Sequence, residues 1–131
     1  MIYLASPYTH ADYRVREQRF QAACRAAAGL LRAGVAVFSP IAHSHSIAHQ
    51  GLPTGWDFWG RLDREYLSRC DVLAVLTIPG WRESAGVQAE IALARKLQIP
   101  IVYVAPSDLD DAQDAPFIAE LGDAPNSRLQ I

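Results

Sequence analysis

Apolar and polar residues alternate in blocks along the chain, and the blocks predict strands separated by helices. The most apolar block runs from Val72 to Ile78 and is typical of a strand buried on both faces of a parallel sheet. Shorter blocks predict further strands at Ile2 to Ala5, Val35 to Ser39, Ile99 to Val104 and Arg128 to Ile131. We therefore expect one α/β domain, a three-layer sandwich with a flavodoxin-like parallel sheet in the order 2-1-3-4-5.

Two long helices are predicted from apolar residues at helical spacing. The first runs from near Asp12 to Arg32, and its expected buried stripe consists of Phe20, Ala23, Ala27, Leu30 and Leu31. The second runs from Trp56 to about Arg69, and the residues that recur on one face are Phe58, Leu62 and Tyr66. We expect Phe58 and Leu62 to belong to the core. Trp56 and Trp59 fit the core equally well or a pocket in which an aromatic ring stacks on a nucleobase.

The segment from Ile41 to Gly55 contains Gly51, Pro53 and Gly55 and predicts a long loop with at most one helical turn. Its three histidines are His43, His45 and His49. Their spacing matches no established zinc pattern, so we favour hydrogen bonds to substrate or to the loop backbone. A metal-dependent hydrolase built on this segment is the alternative.

Composition narrows the possible functions. The chain has 131 residues, 50% of them hydrophobic, and a formal net charge of −2. We expect one domain, with residues 1–106 as its core and residues 107–131 as an acidic, partly mobile segment. The charge does not fit a surface for polynucleotides, and no apolar run is long enough for a membrane span. Without a secretory leader, the expected location is the cytoplasm.

Cofactor motifs are absent from the sequence. Cys24 and Cys70 lie far apart and outside any CxxC spacing, so we expect two reduced thiols and neither a disulfide nor a zinc site. The sequence contains no Walker loop and no GxGxxG motif, which makes ATP or a dinucleotide a poor candidate ligand. The prediction is a protein with no cofactor and no metal.

The helix predicted after Ser84 carries the strongest candidate for chemistry. Ser84 is a candidate N-cap, and the stripe expected to face the sheet is Val87, Ile91 and Ala94. Glu90 is expected off that stripe, with its carboxylate leaning back over Gly86, where a missing side chain leaves room for a small molecule. Open α/β sheets bind ligands in the crevice where this helix begins. Glu90 is thus a candidate nucleophile, and a solvated Glu90 beside a glycine that permits close packing is the alternative.

The turn after the first strand has the ingredients of an anion site. Ser6 and Thr9 place hydroxyl groups and free backbone N–H groups beside the start of a helix. Arg14 or Arg16 could help to hold a 5'-phosphate. A solvated face of arginines is the alternative.

Several segments together resemble the nucleoside 2-deoxyribosyltransferase superfamily. They are MIYLASPY at the N-terminus, Asp63, CDVL at Cys70 to Leu73 and SAGVQAE at Ser84 to Glu90. A small bacterial branch of that superfamily, with no settled function, also shares FSPI at Phe38 to Ile41 and HSH at His43 to His45. The superfamily also contains hydrolases that cleave deoxynucleoside 5'-monophosphates into base and sugar phosphate. The resemblance extends to about Tyr103.

This resemblance implies cleavage of the N-glycosidic bond of a small nucleoside or nucleoside 5'-monophosphate. By resemblance, Glu90 attacks the anomeric carbon, Tyr3 positions Glu90 with a hydrogen bond, and Asp63 holds or protonates the departing base. The expected substrate-binding residues are Ser6, Tyr8, Ser84, Gly86, His43, His45, Trp56 and Trp59. Related enzymes complete their pockets across a subunit interface, so a homodimer or a larger homo-oligomer is expected.

Two positions depart from the superfamily pattern. Ser84 stands where the transferases carry an aspartate and the monophosphate hydrolases commonly have serine, which favours a phosphorylated substrate and water as the acceptor. Pro7 removes a backbone donor from the turn that would hold the phosphate, so a free nucleoside stays open. A module that binds a nucleotide-derived ligand without turning it over is the alternative of a different class.

Overall fold

The structure is a computed structural model that describes residues 1–110. Its elements in chain order are β1 (Ile2–Ala5), α1 (Tyr13–Arg32), β2 (Val37–Phe38), α2 (Pro40–Ala48), α3 (Trp56–Ser68), β3 (Val72–Leu76), α4 (Ala85–Lys96), β4 (Ile101–Val104) and α5 (Pro106–Asp110). The strands are parallel and lie in the order β2-β1-β3-β4, which confirms the expected α/β sandwich. The sheet of the described residues has four strands, which match the first four of the expected order 2-1-3-4-5. The predicted fifth strand at 128–131 lies outside the described residues, as does most of the acidic segment.

Alternating residues of β1 and β3 divide the core between the two faces of the sheet. One face packs against α1 and α5 through Ile2, Leu4, Ala26, Leu30, Val72, Ala74, Leu76 and Leu109. The other face packs against α3 and α4 through Tyr3, Ala5, Leu67, Leu73, Val75, Val87, Ile91 and Ala94. Tyr3 is fully buried on this second face and lies opposite Leu73 of β3.

The strand order reverses its direction between β1 and β3, which are neighbours in the sheet. The chain passes from β1 through α1 to β2 on one side, and from β3 through α4 to β4 on the other. Such a switch point opens a crevice at the carboxyl ends of the strands, because the two connections leave on opposite faces. The turns that border this crevice are residues 6–12 and residues 77–84.

The segment after β2 is helical, and the predicted long loop is wrong there. Residues Pro40–Ala48 form α2. Ser39 caps this helix by accepting a hydrogen bond from the Ala42 backbone N–H at 3.1 Å, and Pro40 fits the first turn because its missing N–H would have no partner there. The glycines and prolines that suggested a loop begin only at Gly51, after the helix has ended.

The buried stripes of the two long helices differ in detail from those predicted. On α1 the buried residues are Ala23, Ala26, Gly29 and Leu30, whereas Leu31 is 59% exposed. On α3 the buried residues are Gly60 and Leu67, whereas Phe58 and Leu62 are half-buried and Tyr66 is exposed. Some of the buried residues on both helices are small, and the predicted apolar stripes do not include them. The apolar spacing alone therefore misplaces the buried face by part of a turn.

The packed core extends beyond the boundary expected at residue 106. Leu109 of α5 is buried against α1. A Cβ at Gly29 would lie only 2.9 Å from the Leu109 carbonyl oxygen, so the close approach of α5 requires a glycine at that position.

No helix within residues 1–110 combines the length and the apolar character needed to cross a bilayer.

Candidate active site

Glu90 lies on the buried face of α4, which begins at the crevice. Ser84 caps the helix, as expected, by accepting a hydrogen bond from the Val87 backbone N–H at 3.2 Å. Position 90 follows Val87 by three residues and precedes Ile91, so it belongs to the same helical face as the apolar stripe. The expectation that Glu90 lies off the stripe is therefore wrong. Glu90 is only 5% exposed.

Three polar atoms near the crevice are buried and find no hydrogen-bond partner in the described part of the chain. They are Tyr3 Oη on β1, Ser6 Oγ just after β1, and Glu90 Oε2 on α4. Native proteins leave few such groups, because each costs about 1–3 kcal/mol. Three of them at one edge of one sheet indicate a place where a polar ligand supplies the missing hydrogen bonds.

Tyr3 and Glu90 lie close enough to influence each other's protonation, although they form no hydrogen bond of normal geometry. Burial raises the pKa of Glu90 to about 8; the Tyr3 hydroxyl lowers this pKa in part, and the charge of Asp63 raises it. Burial also raises the pKa of Tyr3, and the charges of Glu90 and Asp63 add to that effect. At neutral pH the Glu90 carboxyl therefore carries its proton.

Asp63 is the second carboxyl group of this cluster. It is half-buried on α3, and burial raises its pKa to about 6. The structure thus brings together the three residues expected to be catalytic, Glu90, Tyr3 and Asp63. Two carboxyl groups with separated pKa values can divide the roles of acid and base between them.

Trp56 is the first residue of α3, and its ring lies beside the first turn of α4. A Cβ at Gly86 would lie 3.8 Å from the indole ring, and a Cβ at Gly60 would lie 2.6 Å from it. Gly60 therefore has to lack a side chain for the indole to occupy this position. Trp56 is 41% exposed, so part of the ring is accessible above Gly86. Gly60 was not predicted as a site residue. A glycine inside a helix, one turn after a tryptophan, is a signal from which the packing of the indole ring over that position could have been predicted.

Trp59 and His43 make contacts that give them roles in packing. The indole N–H of Trp59 donates to the Pro53 carbonyl oxygen at 2.8 Å and holds the loop before α3. His43 is exposed on α2, and its ring lies 5.4 Å from the Phe38 ring and 5.9 Å from the Tyr66 ring.

His45 and Tyr8 are joined to each other. The Tyr8 hydroxyl lies 2.7 Å from His45 Nδ1, and His45 Nε2 lies 3.2 Å from Glu17 Oε2. Glu17 was missed by sequence reasoning, because it stands among other polar residues of α1 and no local pattern marks it.

The histidines of α2 and its C-cap do not form a metal site. The His45 and His49 rings meet edge to face at 4.8 Å, while His43 faces Phe38 and Tyr66. Within residues 1–110, no three His, Cys, Asp or Glu side chains are grouped so that they could hold a metal ion.

Comparison with known proteins gives one family. A family model described as "Domain of unknown function (DUF1937)" matches residues 1–105, which include every residue of the cluster described above. The curated proteins give no match to the chain.

We predict that Glu90→Gln removes a pH dependence of stability. The folded pKa of about 8 exceeds the ordinary value of 4.5, so the folded state keeps this proton where the unfolded state loses it. Wild-type stability should fall as the pH rises from about 4.5 through 8, by at most about 5 kcal/mol. Since glutamine carries no charge at any pH, the variant should resemble the wild type at pH 5 and be clearly more stable at pH 9.

Urea unfolding at pH 5 and pH 9 measures both free energies of unfolding. Glu65→Gln is the matched control, because Glu65 is exposed on α3 and pairs only with the exposed Arg69. An equal difference between Glu90→Gln and the wild type at both pH values would contradict the account of a buried, protonated carboxyl.

Proposed function

The chain belongs to the DUF1937 family, whose function is unknown, and we propose that it cleaves the N-glycosidic bond of a nucleoside or nucleotide with Glu90 as the nucleophile. One observation carries this proposal. The buried oxygens Tyr3 Oη and Glu90 Oε2 lack partners and adjoin a second carboxyl group, Asp63, at the crevice of a parallel sheet. The resemblance to the nucleoside 2-deoxyribosyltransferase superfamily supports the same assignment.

The site suits a sugar with a nucleobase attached. A sugar presents hydroxyl groups to unpartnered buried oxygens, and its anomeric carbon becomes positively charged as the glycosidic bond breaks. A carboxylate in a site shielded from water stabilises such a charge strongly. Trp56 is 41% exposed and its ring lies near Gly86, so it offers a base a surface for stacking.

The reaction proceeds in two steps. The ionised Glu90 carboxylate adds to the anomeric carbon while the C–N bond breaks, and the base leaves with a proton from Asp63. Tyr3 donates a hydrogen bond to the attacking carboxylate. Water then hydrolyses the glycosyl ester, and Asp63 accepts the proton that water loses, which restores both carboxyl groups.

Hydrolysis is favoured over base exchange because Ser84 stands where the transferases of the resembled superfamily carry an aspartate. Ser84 already accepts a hydrogen bond from the Val87 N–H, and its own hydrogen is still available to a ligand. We also propose a homodimer or a larger homo-oligomer, again by analogy with that superfamily.

A binding protein without catalytic activity is the second candidate. The raised pKa of Glu90, about 8, favours this alternative, because a protonated carboxyl is a hydrogen-bonding group and not a nucleophile. The two candidates differ in what happens to the ligand, since only the enzyme releases free base.

We predict that the protein releases base from at least one member of a panel of deoxyribonucleosides, ribonucleosides and their 5'-monophosphates. Chromatography of the products measures this release. Glu90→Gln should lower the rate by more than about a thousandfold, because it removes the group that forms the covalent bond. Tyr3→Phe should lower it by about 10- to 100-fold, because one hydrogen bond to a charged group is lost.

Glu65→Gln is the control and should keep the wild-type rate. Undiminished release by Glu90→Gln would contradict the nucleophile assignment. If no panel member is cleaved but one raises the melting temperature, the binding protein becomes the better account.

A bell-shaped dependence of kcat/KM on pH is a further prediction. The reactive form has Glu90 ionised and Asp63 protonated, whereas the pKa values of about 8 and about 6 put the proton mainly on Glu90. Activity should therefore rise to a maximum near pH 7 and fall on both sides, with apparent pKa values that belong to the pair. A rate that stays constant from pH 5 to pH 9 would contradict the division of roles between the two carboxyl groups.

A further inference from the structure

A relay of two polar contacts, a hydrogen bond and an ion-pair contact, connects the turn after β1 with two helices. Its members are Tyr8 in the turn, His45 on α2 and Glu17 on α1. The His45 side chain is only 7% exposed, and the Phe20 ring stacks on the imidazole at 4.0 Å with an interplanar angle of 15°. Both ring nitrogens of His45 therefore have fixed partners, and the ring cannot turn freely.

The Glu17 carboxylate favours one tautomer of His45. An ionised Glu17 presents only lone pairs, so it stabilises the ring proton on Nε2, which lies 3.2 Å from Glu17 Oε2. In the neutral ring, Nδ1 is then the acceptor, and the Tyr8 hydroxyl donates its one hydrogen to Nδ1. Burial raises the pKa of Tyr8, which keeps this hydrogen on the phenol at neutral pH. The Tyr8 oxygen is left with lone pairs alone and can only accept from a ligand.

Tyr8 lies in the turn of residues 6–12 that borders the crevice. It follows Ser6, whose buried hydroxyl lacks a partner, by two residues, so their Cα atoms are at most about 7.6 Å apart. The base and the 5' carbon are attached to C1' and C4', the two carbons that flank the ring oxygen of the sugar. If the base is placed at Asp63 and Trp56 on α3, the 5' group points to the turn after β1.

Several arginine N–H groups near this turn already have acceptors. Arg14 pairs with Asp12, and Arg16 donates to the carbonyl oxygens of His10 and Ala11. Pro7 has no N–H group. Asp12 places a carboxylate at the start of α1, where it accepts from the Arg14 N–H.

Arg19 spans the two turns that border the crevice, residues 6–12 and 77–84. It donates to the Thr9 carbonyl oxygen at 2.9 Å, and its guanidinium group lies beside Gly80. Recognition of a phosphate would therefore depend on Arg19, whereas recognition of a hydroxyl would depend on Tyr8.

We infer that Tyr8 is a specificity-determining residue that accepts a hydrogen bond from a 5'-hydroxyl group, with His45 and Glu17 as its positioning residues. The preferred substrate class is then an unphosphorylated nucleoside. This inference rests on the proposed function for the binding mode, but it concerns binding preference and can be tested without turnover.

The test measures binding by calorimetry to Glu90→Gln, which retains the pocket and cannot form the ester. The probes are deoxynucleosides, their 5'-monophosphates and 2',5'-dideoxynucleosides, which lack the 5'-hydroxyl. The nucleoside should bind at least about fivefold more tightly than either alternative, since one hydrogen bond is worth about that factor. Adding Tyr8→Phe should lower nucleoside affinity about fivefold and leave dideoxynucleoside affinity unchanged.

Variants of His45 separate positioning from mere packing. His45→Gln offers one acceptor and one donor and should retain part of the nucleoside preference, whereas His45→Phe fills the space without either and should abolish it. Melting temperatures verify that each variant is folded. An equal loss of affinity for nucleoside and dideoxynucleoside in Tyr8→Phe would overturn the inference, as would a failure of every probe to bind.

Other outcomes separate this inference from the proposed function. Tighter binding of the monophosphate, lost in Arg19→Gln, would overturn the inference even if the wild type cleaves its ligand. A Tyr8-dependent preference for the nucleoside, in a protein that releases no base, would support the inference and contradict the proposed activity.

Discussion

The burial of the Glu90 carboxyl is the constraint on which the rest of the site depends. Glu90 occupies a position in the buried stripe of α4, so the packing that joins this helix to the sheet also removes the carboxyl from water. Loss of water disfavours the charged form, and the Tyr3 hydroxyl offsets only part of that effect. A positive charge that develops on a bound sugar would favour ionisation, and the group would then become reactive only in the presence of its ligand.

Two glycines, one on each of the neighbouring helices α3 and α4, leave space for the Trp56 ring. Gly60 on α3 and Gly86 on α4 both face the Trp56 ring, and each position sacrifices about 1 kcal/mol of helix propensity relative to alanine. The Trp56 residue is 41% exposed, whereas Glu90 is buried and Asp63 is half-buried. The proposed nucleoside, with its flat base and hydroxylated sugar, requires both an apolar surface and polar groups in a pocket.

Local signals in the sequence were sufficient for most of the fold. The apolar run of β3, the long helix α1 and the Ser84 cap each depend on residues within a few positions of one another, and these predictions agree with the structure. The helix α2 was missed because the glycines and prolines that follow it dominated the pattern. The face of Glu90 was misjudged because a stripe drawn through three apolar residues ignored a polar residue at the same helical spacing.

Contacts between distant segments could not be read from the sequence. Tyr8 and His45 are 37 residues apart, and the relay with Glu17 exists only because α1 and α2 meet beside the turn after β1. The convergence of Tyr3 with Glu90 was predicted through the strand order, which places β1 beside β3. Topology thus identified the approach of Tyr3 to Glu90, while side-chain packing determined the relay.

The most direct measurement is a titration of the Glu90 carboxyl by carbon-13 NMR in protein labelled at the glutamate carboxyl carbons. The Glu90→Gln variant identifies the resonance by its absence. The account predicts a pKa near 8, far above the ordinary value of 4.5. A titration near 4.5 would mean that water reaches this carboxyl freely, and it would contradict the buried site on which the proposed chemistry depends.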